Sequence, residues 1–253
     1  MNPLADHFGD HLKELRRRVS IAFAAVALCS VIAYYFSRQL SGFLVLPLFQ
    51  ASPALSTLVY TNLTEAFISY LKISVLVGLT AAFPVMLYEA WAFVSPGLHK
   101  HEKKIALAVV FWATLLFGFG VCFAYFVIMP QALKFLMSFA SDRLQALPKL
   151  DSYLTFVIRA SLAFGLSFEI PFLMVAAGKT GLAARAYFSR QRKYFYVAIV
   201  VLAFLLAAGD PVSTLLLALP LFALYETGIL VMRIFARQAK GHDASGTRQK
   251  AKE

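Results

Sequence analysis

The sequence Phe93-Val94-Ser95-Pro96-Gly97-Leu98-His99-Lys100-His101-Glu102 separates two long apolar segments and sets the point at which the chain must turn. Proline lacks a backbone N–H and glycine tolerates conformations closed to other residues, so Pro96-Gly97 predicts a loop or the bent start of a helix. Three lysines stand close to Glu102 in the sequence. We therefore expect the Glu102 carboxylate to face water at the ends of two apolar helices.

The composition is that of a membrane protein. Of the 253 residues 60% are hydrophobic and 15% are charged, and the mean hydropathy is +0.71. Soluble domains carry roughly 25% charged residues. Cys29 and Cys122 lie inside apolar runs, which favours small apolar residues over a disulfide or a metal site. Residues 1–18 lack the apolar core of a removed signal peptide.

Six continuous apolar segments approach the roughly 20 residues that a transmembrane helix needs. They are 19–37, 66–91, 105–128, 152–177, 194–208 and 213–232. Continuous runs favour helices over a membrane β-barrel, which requires alternating segments. The predicted fold is an all-α membrane protein, a bundle of six transmembrane helices with a short fifth and a short sixth helix.

The positions of lysine and arginine predict the orientation. Most of the 24 lie before the first segment, in the 2–3 and 4–5 loops, or after the sixth segment. The opposite loops hold only Arg38, Lys134, Arg143 and Lys149. The positive-inside rule therefore places both termini and the 93–102 stretch in the cytoplasm. The net charge of +11 follows from this topology, so we do not expect a nucleic-acid partner.

We predict one transmembrane domain over residues 1–236 and a disordered, basic cytoplasmic tail over 237–253. The domain opens with an amphipathic helix over 1–18, because apolar residues recur there at spacings of three and four. Glu14 flanks the apolar stripe of this helix. It either forms an ordinary pair with Arg18 one turn later or takes part in a binding site.

The segment 38–65 contains prolines and an apolar patch, which predicts short helices packed on the outer face of the bundle. Within the second span, Pro84 predicts a kink. For Lys72 we expect a structural role near the membrane surface. His99, His101 and Glu102 have a spacing compatible with two metal ligands, but a zinc site gathers three or four. We expect neither a metal nor a cofactor.

Glu169 lies near the middle of the fourth span, where a charge costs about 2.5–3.5 kcal/mol. It must face protein or water, or be protonated. Pro171 frees the carbonyl of Ser167, which predicts a bend beside the carboxyl group. Two roles for Glu169 remain open, a structural polar contact with a neighbouring helix and a protonatable transport site. Arg159, in the same span, has no explanation in the sequence.

Spans five and six are joined by Gly209-Asp210-Pro211-Val212, which predicts a tight hairpin. The fifth span has about 15 residues and reaches about 22 Å, less than the roughly 30 Å of the hydrocarbon core. The bilayer is expected to thin beside it.

Four motifs on these six spans resemble the TatC family, the receptor subunit of the twin-arginine protein translocase. They are His11-Leu12-Lys13-Glu14-Leu15-Arg16-Arg17, Phe93-x-x-Pro96-Gly97-Leu98-x-x-x-Glu102, Phe168-Glu169-x-Pro171 and Asp210-Pro211. The resemblance covers nearly the whole chain. It implies a multi-pass protein of the cytoplasmic (inner) membrane that is not an enzyme. Such a protein binds twin-arginine signal peptides, self-associates in a receptor complex, and assembles with the single-span proteins TatA and TatB. It exports folded proteins using the proton-motive force.

The resemblance also implies roles for particular residues. Those expected at the signal-peptide site are Glu14, Arg16, Leu98 and Glu102. Those expected to support it are Pro47, Phe93, Pro96 and Asp210. Those expected to contact TatA or TatB are Glu169, Leu206 and Thr214. Guanidinium groups favour bidentate, charge-assisted bonds to carboxylates, so Glu14 and Glu102 could each hold one arginine of the peptide.

The chain departs from the family pattern at Ala207-Ala208-Gly209-Asp210, where many relatives have Thr-Pro-Pro-Asp, and at Thr214, where some have Gln. Two other classes of protein stay open. A proton-coupled solute transporter would use Glu169 as its protonatable site, although the two halves show no internal repeat. A membrane metalloenzyme would use His99, His101 and Glu102, and a chelator would abolish its activity.

Overall fold

The computed structural model describes residues 3–51, 57–59, 62, 64–94, 100–139, 148–179, 185–207 and 210–250. Apart from short connecting stretches such as 57–59 and 148–149, the chain is helical within these ranges, and the pairing of Val59 with Lys149 is an isolated bridge rather than part of a strand. The α-helices are α1 (Pro3–Tyr35), α2 (Ser37–Ala51), α3 (Glu65–Val94), α4 (Lys100–Phe123), α5 (Met129–Met137), α6 (Leu150–Lys179), α7 (Arg185–Arg190), α8 (Arg192–Leu206) and α9 (Pro211–Lys250). The predicted all-α class is confirmed.

Five helical stretches in the described part of the chain are long and apolar enough to cross a membrane. They are His11–Tyr35, Glu65–Phe93, Leu107–Met137, Leu150–Gly178 and Ser213–Ile234. The fifth predicted span corresponds to α8, whose 15 residues fall below the length that a span normally needs. These helices make the chain a multi-pass membrane protein.

Two helices extend further than the sequence predicts. The third span continues past Pro130 because a π-helical turn, Ala124–Ile128, precedes α5 and places this proline in the first turn of that helix, where it needs no N–H partner. The last helix has 40 residues and so extends beyond the predicted sixth segment, while its apolar stretch, Ser213–Ile234, has 22 residues and is the shortest of the five in the described part of the chain. The described helix enters the 237–253 stretch, for which disorder stays a prediction.

Contacts divide the chain into two compact units, Met1–Leu162 and Ala163–Glu253. In the first unit α1 packs along α3 at very short range. A Cβ atom added to Gly78 would lie 2.1 Å from Ser30 Oγ and 2.6 Å from Ser30 Cα. Glycine is therefore required where these two helices cross, and the crossing fixes which residues of α1 and α3 meet.

Helix α2 confirms the prediction that the 38–65 segment contains a helix. Pro47 is buried within it and cannot donate to the carbonyl of Phe43, four residues earlier. The Tyr125 hydroxyl donates to that carbonyl instead, and the Tyr153 hydroxyl donates to the next carbonyl, of Leu44, at 2.7 Å. Pro47 thus shapes the bundle by opening a carbonyl that another helix binds.

The first turns of α3 and α6 are joined by polar contacts. Lys72 Nζ donates to Asp151 Oδ1 at 2.5 Å and to Thr155 Oγ1 at 3.1 Å. The buried Glu65 carboxylate accepts the backbone N–H of Asp151 at 3.3 Å. Lys72 therefore has the structural role that its position predicts.

In the second unit α8 and α9 form the predicted hairpin. The Asp210 carboxylate accepts the backbone N–H of Ser213 at 2.8 Å and so caps the N-terminus of α9. The Tyr225 hydroxyl donates to the carbonyl of Phe188 in α7 at 3.0 Å. The first bond therefore fixes the start of α9, and the second joins α9 to α7.

Candidate functional site

One arginine joins the carboxylates of two helices in the first unit. Arg18 donates to Glu14 Oε1 from Nε at 3.0 Å and from Nη2 at 2.6 Å, within α1. Its third nitrogen, Nη1, donates to Glu89 Oε2 on α3 at 3.2 Å. The pair between Glu14 and Arg18 that the spacing predicts is present, and it is extended to a second helix. We call Glu14, Arg18 and Glu89 the acidic cluster.

The acidic cluster is partly open and has unequal charges. The exposed fractions of the side chains are 34% for Glu14, 23% for Arg18 and 14% for Glu89. Two carboxylates and one guanidinium leave one negative charge among the three groups. Since Glu14 is the most exposed of them, a cation arriving from water would meet its carboxylate first.

An aromatic contact lies one turn from the acidic cluster. The rings of His11 on α1 and Phe93 on α3 are stacked, with centroids 4.5 Å apart and planes 25° apart. His11, Glu14 and Arg18 follow each other at spacings of three and four, so they share one face of α1. Glu89 and Phe93 share a face of α3 in the same way. The two antiparallel faces together place the acidic cluster beside the start of the 93–102 stretch.

The other residues predicted at this site are described in part or not at all. Arg16 is exposed on α1. Glu102 lies in the first turn of α4, and its side chain falls outside the described part of the structure. Pro96, Leu98 and His99 lie outside the described residues, and so does the side chain of His101. Among the residues that were described, no three His, Cys, Asp or Glu side chains gather as metal ligands.

Glu89 is the member of the acidic cluster that sequence reasoning missed as a site residue. It is an acidic residue near the end of a long apolar helix, four positions before Phe93. That spacing could have drawn attention to it. Its bond to Arg18, however, depends on the register between α1 and α3, which cannot be read from either helix alone.

The residues expected to contact partner proteins lie in the second unit. Glu169 is buried in α6, with 6% of its surface exposed. Leu206 is the half-buried last residue of α8, and Thr214 is buried in α9. The Thr214 hydroxyl donates to the backbone carbonyl of Asp210 at 2.6 Å, which joins two of the predicted residues at the hairpin.

The second unit also holds a neutral counterpart of the acidic cluster. Arg192 Nη2 donates to Glu226 Oε2 at 2.9 Å, and the Tyr196 hydroxyl donates to Glu226 Oε1 at 2.6 Å. One cation, one carboxylate and one phenol leave no surplus charge. Both oxygens of Glu226 are occupied by these donors.

Comparison with known proteins shows the family. The family described as "TatC: Sec-independent protein translocase protein (TatC)" matches residues 10–220. The chain is similar to proteins from several organisms that are named "Sec-independent protein translocase protein TatC". The protein from Desulforapulum autotrophicum is 38% identical, and the match covers 91% of this chain and 86% of the relative. The protein from Aquifex aeolicus is 36% identical, with 91% of this chain and 96% of the relative covered. The protein from Escherichia coli K12 is 33% identical, with 92% of this chain and 90% of the relative covered.

A solved structure has the same fold. The crystal structure titled "Twin Arginine Translocase Receptor- TatC" superposes with a TM-score of 0.80 at 36% identity, covering 88% of this chain and 98% of that one. A structure of the same receptor in the detergent DDM gives a TM-score of 0.79 at 36% identity. On this evidence the chain is a translocase component and belongs to the TatC family.

Proposed function

We propose that this protein is the receptor that binds twin-arginine signal peptides and forms the core of a translocase for folded proteins. The observation that supports this role most directly is the acidic cluster. It offers the half-exposed Glu14 carboxylate, a surplus negative charge and a neighbouring aromatic stack.

The chemistry of the cluster suits a pair of arginines. Guanidinium groups form bidentate bonds to carboxylates and stack on aromatic faces, which an ammonium group does less well. One arginine of the peptide would bind Glu14, whose oxygen already accepts two bonds from Arg18 in the free protein. The second would bind Glu102, which the 93–102 stretch carries. Arg16 and Leu98 would contact the peptide, while Phe93, Pro96, Pro47 and Asp210 would support the site.

The proposed topology has six spans, with both termini in the cytoplasm of the cell and the bundle in its inner membrane. Five of these spans would be the stretches that are long enough by themselves. Helix α8, the fifth span in chain order, would complete the set of six. Its 15 residues reach about 22 Å, so the bilayer would thin around it. Residues 1–236 would form the membrane domain, and 237–253 a basic tail.

The partners would be single-span proteins of the TatA and TatB type. Glu169 offers a carboxyl group inside an apolar helix, where a polar group of a partner helix gains most from a hydrogen bond. Leu206 and Thr214 at the hairpin would extend the contact. Several copies would assemble in one receptor complex, and the proton-motive force would drive export. The role is that of a transport component and not of an enzyme.

The test is a photo-crosslinking scan with the full chain in its membrane. A photoreactive residue is placed in turn at positions 10–18 and 93–104, and a signal peptide with paired arginines is added. Crosslinks should concentrate at positions next to Glu14 and Glu102, and should vanish when both arginines of the peptide are replaced by glutamine.

A matched control is a photoreactive residue at Tyr194, which is exposed on α8 in the second unit. It should give only background crosslinks. Equal yields at Tyr194 and around Glu14, or crosslinks that ignore the loss of the paired arginines, would contradict the receptor function.

A further inference from the structure

Two adjoining cavities lie where α3 and α6 begin. One, of about 350 Å³, is lined mainly by polar and charged side chains, including Asn62, Lys149 and Asp151. The other, of about 340 Å³, is an apolar groove that continues along both helices. Ile68 and Lys72 line both cavities. The pair therefore forms one continuous surface with a polar end and an apolar end.

The apolar end is lined by aliphatic side chains from both helices, such as Leu71, Val75 and Leu79 of α3 and Ile158 of α6. These residues lie within helical stretches long enough to span a membrane. A groove of this kind between two spanning helices matches the shape and chemistry of a lipid acyl chain, whose binding strengthens with each CH₂ group that it buries.

Arg159 lines the groove as well and is exposed. No hydrogen bond or ion pair joins its guanidinium to any described residue. It lies eight positions after Asp151, which is about 12 Å along the helix axis. An arginine at this depth is costly unless its long side chain reaches an anion nearer the surface.

The two cavities together favour an anion, because Arg159 adds a positive charge from the apolar groove while the two lysines and two carboxylates of the polar cavity balance each other. Lys72, Lys149 and Arg159 supply three positive charges to the two cavities, and Glu65 and Asp151 supply two negative ones. Lys72 is paired with Asp151 and Glu65 caps a helix, while Lys149 is exposed. The surplus among these lining residues is one positive charge, which a single phosphodiester neutralises.

We propose that this surface binds an anionic glycerophospholipid, such as phosphatidylglycerol. The phosphate lies between Lys72, Lys149 and Arg159, and one acyl chain fills the groove between α3 and α6. A zwitterionic headgroup binds more weakly because its ammonium group is repelled by the same cations. This site explains the intramembrane arginine and does not depend on the signal-peptide site.

The test measures which lipid stays with the full chain. The protein is reconstituted in vesicles of equal parts phosphatidylglycerol and phosphatidylethanolamine, extracted in mild detergent and examined by native mass spectrometry. The wild type should retain phosphatidylglycerol in preference to phosphatidylethanolamine by about ten-fold, the worth of one charge-assisted hydrogen bond. Arg159→Gln should remove most of this preference, and Arg159→Lys should keep most of it.

Two further variants make the outcome unambiguous. Lys149→Gln changes an exposed residue before α6, so it should lower the preference without unfolding the protein. Lys193→Gln changes an exposed lysine of α8 and should leave the preference unchanged. Equal retention of the two lipids by the wild type, or an unchanged preference in both Arg159→Gln and Lys149→Gln, would overturn the proposal. Displacement of the lipid by a copurifying protein helix would overturn it as well.

Discussion

Two clusters of arginine and glutamate differ in charge rather than in exposure. Glu14 is 34% exposed and Glu226 is 38% exposed, and each accepts a bond from an arginine. In the acidic cluster a second carboxylate, Glu89, shares the arginine. In the other cluster the third member is the neutral phenol of Tyr196. Under the proposed function, a surplus charge, and not the presence of an exposed glutamate, would distinguish the acidic cluster as the site for a cation.

The largest effect is expected for reversal of the charge at the acidic cluster. Glu14→Arg places a second cation beside Arg18, so the affinity for a peptide with paired arginines should fall by about 100-fold, because an attractive pair is replaced by a contact between like charges. Fluorescence anisotropy with a labelled peptide measures this. Glu226→Arg is the matched control and should change the affinity less than about two-fold, since Glu226 has no surplus charge to offer. Equal losses in both variants would remove the distinction between the clusters.

The next largest effect is expected at Glu169, whose carboxyl group is buried and not exposed like those of Glu14 and Glu226. Glu169→Ala should weaken assembly with a single-span partner by about ten-fold, because one membrane-embedded hydrogen bond is worth about 1–2 kcal/mol. Co-purification of the partner measures this loss, while peptide affinity should stay unchanged. If both activities fell together, Glu169 would be a residue needed for folding instead.

A smaller effect is expected for the carboxylate that the sequence did not single out. Glu89→Gln removes the surplus negative charge but keeps the side-chain shape, so peptide affinity should fall by about three- to five-fold. The loss should shrink at high ionic strength, because the interaction is partly exposed. An unchanged affinity in low salt would show that Glu89 only positions Arg18.

The smallest effect has the opposite sign. Arg18→Gln leaves both carboxylates of the acidic cluster without their shared cation, so the peptide should bind about two-fold to three-fold more tightly in low salt. Arg192→Gln at the neutral cluster is the control and should not alter peptide binding. Weaker binding by Arg18→Gln would mean that Arg18 holds Glu14 in the competent position and does not compete with the peptide.

These residues show how far the sequence could predict the structure. The membrane class, the helical fold and the pairing of Glu14 with Arg18 follow from composition and from spacing within one helix. The bond between Arg18 and Glu89 does not, because it depends on the crossing of α1 and α3 at Ser30 and Gly78. Pro47 likewise predicts that the carbonyl of Phe43 lacks its helical hydrogen bond. The sequence does not predict that the Tyr125 hydroxyl donates to this carbonyl, because that contact depends on how two helices pack.

Helix length was the other place where local rules fell short. The third apolar segment ends at residue 128, before Met129-Pro130, yet a π-helical turn carries the helix onward to Met137. The composition after the sixth apolar segment predicts a basic tail from residue 237, and the described α9 extends into that stretch as far as Lys250. In both cases the helix continues past a feature that normally marks a helix end, a proline in the first case and a polar, basic composition in the second.

The most direct measurement of the central claim compares two peptides on two proteins. One peptide carries paired arginines and the other has glutamines in their place, and each is titrated against the wild type and against Glu14→Gln/Glu102→Gln. The wild type should prefer the arginine peptide by about 100-fold, and the double variant should lose nearly all of that preference. An undiminished preference in the double variant would contradict the claim that these two carboxylates bind the arginine pair.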